Sequence, residues 1–215
     1  MTLCDTVLLD MDGTLLDLNF DNHFWLEFVP QKYAQKHQLS LAQAKQQLFP
    51  QFKAMEGQLE WYCLDYWSDV LQLNIAELKT EISGLIAVLP HVMDFLEALR
   101  QSPKKVFLVT NAHRDSLNLK MEKTCLQPFF DAIICAHDFG LAKEQDGFWE
   151  TLQTHYPFDK SRTVLIDDSL RVLDSAKRFG IAQLIFPAQP DSQKPARHCE
   201  DYFTIADFRD LIACL

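Results

Sequence analysis

The chain has 215 residues, 48% of them hydrophobic and 23% charged, and carries a formal net charge of −10. That composition suits one packed domain, or one domain with a sizeable insertion, and argues against wholesale disorder. The acidic balance disfavours partnership with nucleic acid or an anionic membrane surface, and an anionic substrate would need a local cation, either a metal or a placed lysine.

No basic start leads into a long apolar segment, and no apolar run is long enough to span a bilayer. The six cysteines, at 4, 63, 125, 135, 199 and 214, fall at no zinc or redox spacing. Buried, reduced thiols in a cytoplasmic protein are the expectation. The first predicted element is the short apolar run Thr6–Leu9, a buried strand. Asp10 and Asp12 follow it. Side chains on a strand alternate, so the two carboxylates share a side, and anions that close need a cation or a shared proton. Gly13 lets the backbone turn or approach a ligand. Asp and Gly also end strands for turn reasons alone, so this stretch by itself leaves a polar turn open.

From about 20 to 88 no strand is predicted. Apolar and aromatic residues recur there at helical spacing, as in Phe24 and Phe28, Leu64, Trp67 and Leu71, with Ser40 as an N-cap and Pro50 ending or delaying a helix. From 90 onward helices and strands alternate. Pro90 suits the first turn of a helix whose buried face is Val92, Phe95, Leu96 and Leu99. A strand over 106–109 ends at Thr110 and Asn111, and a helix covers 114–124. Ala132–Cys135 is a strand, 146–155 a helix, and Thr163–Ile166 a strand that ends at Asp167 and Asp168. A helix then runs to Phe179 with Gly180 as its stop. A strand over 182–186, a Pro- and Gln-rich loop over 187–197 and a helix over 206–212 complete the chain. Near-continuous apolar strands alternating with helices imply a parallel α/β sheet covered on both faces, with the helical block inserted after the first strand.

Three strands therefore end in polar groups on one sheet edge, and Lys143 sits in the loop after a fourth. Taken singly, Thr110 and Asn111 could be a turn, Lys143 a solvated lysine, and Asp167, Asp168 and Ser169 a helix cap. Taken together, the residues LLDMDGT, LVTNA, Lys143 and VLIDDS resemble the haloacid dehalogenase-like superfamily of phosphohydrolases in order and spacing. FDNHFW (20–25) and WYCLDYWS (61–68) are similar to bacterial purine 5′-nucleotidases that act on GMP and IMP.

The resemblance implies a Rossmann-like core of residues 1–17 and 89–215 and a helical cap of the C1 type over 18–88. It implies that Asp10 attacks phosphorus and that Asp12 acts as acid and base. Mg²⁺ would be held by Asp10, the Asp12 backbone carbonyl and Asp168, with Asp167 nearby. Thr110 and Lys143 would hold the phosphoryl oxygens. Two positions depart from the family pattern: Glu144 stands where Pro often follows the lysine, so an acid could pair with Lys143, and Pro90-His91 replaces a Pro-Gly pair.

The implied substrate is a small phosphomonoester, a purine nucleoside monophosphate. Phe20, Trp25, Trp61, Tyr62, Tyr66 and Trp67 offer rings for a base, though aromatics at helical spacing equally build a cap's own core. Asn19, Asp21 and Asn22, close to the catalytic loop, offer polar contacts to substrate alongside Thr110, Asn111 and Lys143. His23 and His113 could line the cleft, and Asp17 sits where a turn or hinge is expected. A sugar-phosphate phosphatase or phosphomutase of the same superfamily, or a non-catalytic phosphate-accepting module, would present the same strand-end acids. A metal-free dehalogenase would have little use for Asp12 and Asp168.

Overall fold

Apolar runs of four to six residues, each long enough for a strand and too short for a helix, build five strands of a sheet that a three-residue sixth completes, in the order β3-β2-β1-β4-β5-β6 with every neighbouring pair parallel. The structure is a computed structural model and describes residues 4–213. Cys214, with 1–3 and 215, lies outside the described residues; of the other cysteines Cys4 and Cys135 are buried as expected, whereas Cys63 and Cys199 are half-buried and Cys125 is exposed. The strands are β1 (Thr6–Leu9), β2 (Lys105–Thr110), β3 (Ala132–Cys135), β4 (Thr163–Ile166), β5 (Gln183–Pro187) and β6 (Phe203–Ile205). The central strands β1 and β4 are buried at every residue.

Pleating divides the sheet's side chains between two apolar layers. Val7, Leu9, Leu108 and Ile166 face helices α7 (Val92–Arg100) and α8 (Arg114–Thr124). Leu8, Val109 and Leu165 face α9 (Phe148–His155) and α10 (Leu170–Phe179). The short α11 (Arg209–Ile212) packs on α7. Leu9 stands level with Leu108 on one side and Ile166 on the other. The residues just past β1, β2 and β4 therefore emerge together at the carboxyl edge. The chain reverses its order of strand addition beside β1, and such a switch point opens a crevice there.

Between β1 and α7 the chain is helical: α1 (Asn19–His23), a π-helical stretch (Phe24–Phe28), α2 (Val29–His37), α3 (Leu41–Met55), α4 (Leu59–Tyr62), α5 (Leu64–Leu71) and α6 (Ile75–Glu81). These helices bury an apolar cluster of their own, centred on Phe24, Phe52 and Trp67. Two neighbouring strips of backbone join them to the sheet. The Asp17 N–H donates to Ala87 O (2.9 Å) and the Leu89 N–H to Leu15 O (2.9 Å). Asp17 Oδ1 accepts from the N–H groups of Asn19 and Ser192, both at 3.0 Å, and fixes where the chain leaves the core.

Several expectations need correction. Pro50 neither ends nor delays a helix, because α3 runs through it. Ala44, Leu48 and Phe52 share the buried face of α3, and their packing outweighs the lost backbone hydrogen bond. Ser40 caps α3 as expected, in a reciprocal capping box with Gln43. Pro90 precedes α7 rather than opening it, since His91 takes a left-handed conformation at the N-cap. Gly147, at φ 89°, delays α9 to Phe148. β6 was not expected, and α11 is shorter than 206–212. No helix among the described residues is long and apolar enough to cross a membrane.

Candidate active site

The register of β1 and β4 fixes the first contact of the site: the Asp10 N–H donates to Ile166 O (3.0 Å), which seats Asp10 beside Asp167. Lys143, buried at 2% exposure, reaches between them. Its Nζ lies 2.5 Å from Asp10 Oδ1, 2.7 Å from Asp167 Oδ2 and 3.0 Å from Val109 O. Burial alone would pull the ammonium's pKa down, but Asp10 and Asp167 push it the other way and the net shift is upward. Lys143 is thus a fixed positive charge beneath the strand ends.

Asp10, Asp167 and Asp168 each bring one carboxylate oxygen within 4.8 Å of the others. Burial, then the crowding of like charge, raises Asp10 and Asp168 to about 7 and Asp167 to about 6, against the opposing pull of Lys143. An all-oxygen, carboxylate-rich set of this kind fits a hard divalent cation. The loop before it is shaped for close approach. Gly13 sits at φ +84°, and a Cβ there would fall 2.6 Å from Asp168 Cγ. Arg197 donates to both Asp168 O (2.8 Å) and Asp168 Oδ2 (2.9 Å), holding that carboxylate from the opposite side.

Asp12 is turned away from the triplet. Its Oδ1 pairs with Lys120 Nζ at 2.7 Å, and Lys120 also donates to Asp21 Oδ2 at 2.6 Å. Lys79 donates to Asp21 Oδ1 at 2.6 Å. Burial raises the Asp12 carboxyl while Lys120 opposes it. Asp21 is driven below the usual carboxylate range because its two lysines outweigh the effect of burial. Lys120 and Lys79 were not among the expected site residues. The available signal was their place on apolar helical stripes, Lys120 between Leu117 and Met121 and Lys79 one turn beyond Ile75. A lysine in such a stripe requires a buried acid.

A cleft of about 510 Å³ opens above these groups, between the strand ends and the helices of 19–81. Its walls include Asp10, Asp12, Asp21, Asn22, Thr110, Asn111, Lys143, Asp167 and Asp168. Asn19 is not part of the wall; it opens α1 and its N–H is tied to Asp17. Of the expected aromatics, Trp25, Trp61 and Tyr62 face the cleft, whereas Phe20 and Trp67 are buried in the interior. His113 lines the cleft and His23 does not. Asn22 Nδ2 donates to the buried Asp191 Oδ2 at 2.6 Å. Thr110 Oγ1 accepts from the Ala112 N–H (3.0 Å), a local turn at the mouth of β2.

Comparison with known proteins agrees with the geometry. The family model described as haloacid dehalogenase-like hydrolase matches residues 7–186. The chain belongs to the haloacid dehalogenase-like hydrolase family. It is 39% identical to the GMP/IMP nucleotidase YrfG of Escherichia coli (strain K12) over 211 residues, which covers 98% of this chain and 95% of that one. The fold is similar to that of a HAD phosphatase from Thermococcus onnurineus, with a TM-score of 0.80, 22% identity and coverage of 98% and 97% of the two chains. It is also similar to that of the putative HAD-hydrolase YfnB from Bacillus subtilis bound to magnesium, with a TM-score of 0.68, 20% identity and coverage of 99% and 98%.

In this haloacid dehalogenase-like hydrolase Glu144 does not pair with Lys143, as its position had suggested. Its carboxylate accepts from Asn111 Nδ2 (2.7 Å) and from the Tyr62 hydroxyl (2.6 Å). Asn111 Oδ1 in turn accepts from the Lys143 backbone N–H (2.9 Å). Both polar atoms of the Asn111 amide are thereby committed to the protein.

Proposed function

We propose that the chain is a cytoplasmic, Mg²⁺-dependent phosphomonoester hydrolase that works through an aspartyl-phosphate on Asp10, with the purine 5′-monophosphates GMP and IMP as substrates. The observation that carries this reading is the division of labour between two acids. Asp10 shares a cation-binding cluster with Asp167 and Asp168, while the Asp12 carboxylate is held apart on Lys120. A dehalogenase or a passive phosphate acceptor has no need of that second, separately held acid. The purine part rests on the relationship to YrfG across nearly the full length of both chains.

In this reading an Asp10 carboxylate oxygen bonds to phosphorus as the phosphorus–oxygen bond to the nucleoside breaks, and Asp12 gives its proton to the leaving oxygen. Asp12, now ionised, takes a proton from water. The water oxygen attacks phosphorus, orthophosphate leaves and the Asp10 carboxylate is regenerated. Lys143 and Thr110 hold the phosphoryl oxygens, and Lys143 offsets the charge that gathers on them. Mg²⁺, bound by Asp10, Asp168 and the Asp12 backbone carbonyl with Asp167 alongside, would supply further charge compensation there.

Residues 18–88 act as a cap over a core of 1–17 and 89–215, swinging on the paired strips at 15–17 and 87–89. Trp25 and Trp61, with ring centroids 5.8 Å apart on the cleft wall, offer faces for the base, and Asp21 and Asn22 offer polar edges. The cap excludes water from the phosphoryl site while the nucleoside is bound. The test is phosphate release with Mg²⁺ from a panel of nucleotides and sugar phosphates. GMP and IMP should be turned over fastest, and equal or faster turnover of sugar phosphates would overturn the purine assignment.

A further inference from the structure

Glu144 lies in the loop after β3, yet one of its two partners belongs to the helical segment. The Tyr62 hydroxyl, at the end of α4, donates to Glu144 Oε1 (2.6 Å), and Asn111, just past β2, donates to Oε2 (2.7 Å). Asn111 Oδ1 accepts from the Lys143 N–H (2.9 Å), and Lys143 Nζ ends on Asp10 and Asp167. Four consecutive contacts thus run from the roof of the cleft to the nucleophile. Each is within normal hydrogen-bonding distance or shorter, and three end on a carboxylate, an acceptor to which such bonds are strongest. A proline after Lys143 would offer no side-chain acceptor, so the connection is a feature of this chain's own sequence.

We propose that Tyr62 and Glu144 form a latch through which closure of the helical cap sets the position of Lys143. The proposal rests on the functional reading above. With the cap closed, Glu144 has two donors and holds the Asn111 amide in the one orientation that also pins the Lys143 backbone. With the cap swung away, Tyr62 is withdrawn and the half-buried carboxylate keeps a single protein donor. Water then competes for it, and its hold on Asn111 weakens. Burial and then the neighbouring Glu144 charge hold the Tyr62 phenol well above its ordinary pKa, so it remains a donor. Glu144 and Tyr62 are positioning residues. They act on the phosphoryl site through Asn111 and Lys143, and small displacements of such groups are costly to rate.

The test compares wild type with Tyr62→Phe, Glu144→Ala, Glu144→Gln and the double variant Tyr62→Phe/Glu144→Ala. Each is assayed with IMP and Mg²⁺, and separately by tryptophan fluorescence on addition of orthovanadate with Mg²⁺, since Trp25 and Trp61 line the cleft. Glu144→Ala should lower kcat by about 10- to 100-fold with little change in KM. Glu144→Gln, which keeps one acceptor, should recover part of that loss. The double variant should be no slower than Glu144→Ala, and all four variants should weaken the vanadate-induced fluorescence change. Wild-type kcat in Glu144→Ala, or a double variant as slow as the product of its two single defects, would overturn the latch alone. If the wild type releases no phosphate from any phosphomonoester, the functional reading fails and the latch fails with it.

Discussion

Replacing Gly13 by alanine tests how tightly the loop after β1 is moulded to the carboxylates. Gly13 holds φ +84°, a region that an L-residue enters at a cost of about 1–2 kcal/mol. The added Cβ would lie 2.6 Å from Asp168 Cγ and 2.7 and 2.9 Å from its two oxygens. Asp168 cannot simply swing away, because Arg197 grips both its carbonyl and its Oδ2. Crowding of this kind in a packed site adds about 1–3 kcal/mol. The sum, about 2–5 kcal/mol, corresponds to a fall in Tm of roughly 4–20 °C for a chain of this size. The same displacement parts Asp168 from Asp10, so the Mg²⁺ needed for half-maximal phosphate release should rise by about 10- to 100-fold, the size of effect seen when groups that orient metal ligands are disturbed. Thermal unfolding and a Mg²⁺ titration of activity measure the two effects. Gly84→Ala is the control, because nothing lies within 4 Å of a Cβ built there. A Gly13→Ala protein with wild-type Tm and wild-type Mg²⁺ dependence would refute the reasoning.

Two further substitutions probe the buried charges and the helical segment. Lys120→Met leaves Asp12 without its cation and Asp21 with Lys79 alone; breaking a buried pair from one side costs about 3–5 kcal/mol, so the urea midpoint near neutral pH should fall clearly, and an unchanged midpoint would contradict the pairing. Pro50→Ala restores a backbone N–H inside α3 without changing its buried face, and should raise stability by about 1–2 kcal/mol once the freer unfolded chain is allowed for; a lower Tm would show that the proline is required where it stands.

Much of the core can be read from local sequence because local and global preferences agree there. Thr6–Leu9, Ala132–Cys135 and Thr163–Ile166 are strands at the expected residues, since each is a short apolar run with polar groups at its end. α10 stops at Gly180, which takes φ 103° as a C-terminal stop should. The strand-end residues Asp10, Thr110, Asn111, Asp167 and Asp168 meet because parallel strands in register must end level. Where tertiary contacts decide, local reasoning falls short. Pro50 is tolerated within α3 because Leu48 and Phe52 anchor the helix on either side of it. β6 has one buried residue, Ile205, and an exposed Phe203, too little pattern to mark a strand. Lys79 and Lys120 become legible as site residues only once Asp21 is brought against both. From sequence alone Glu144 could pair with its neighbour Lys143, because nothing there places the Tyr62 hydroxyl or the Asn111 amide within its reach.

The most direct test of the whole account is to follow phosphate from IMP onto the protein and off again. Wild-type protein with Mg²⁺ should release many equivalents of orthophosphate per chain, and rapid acid quenching should trap a phosphoryl group on the peptide that contains Asp10. Asp10→Asn should show neither. Undiminished release by Asp10→Asn, or a trapped phosphoryl group that maps to any other residue, would contradict the central claim that Asp10 is the nucleophile.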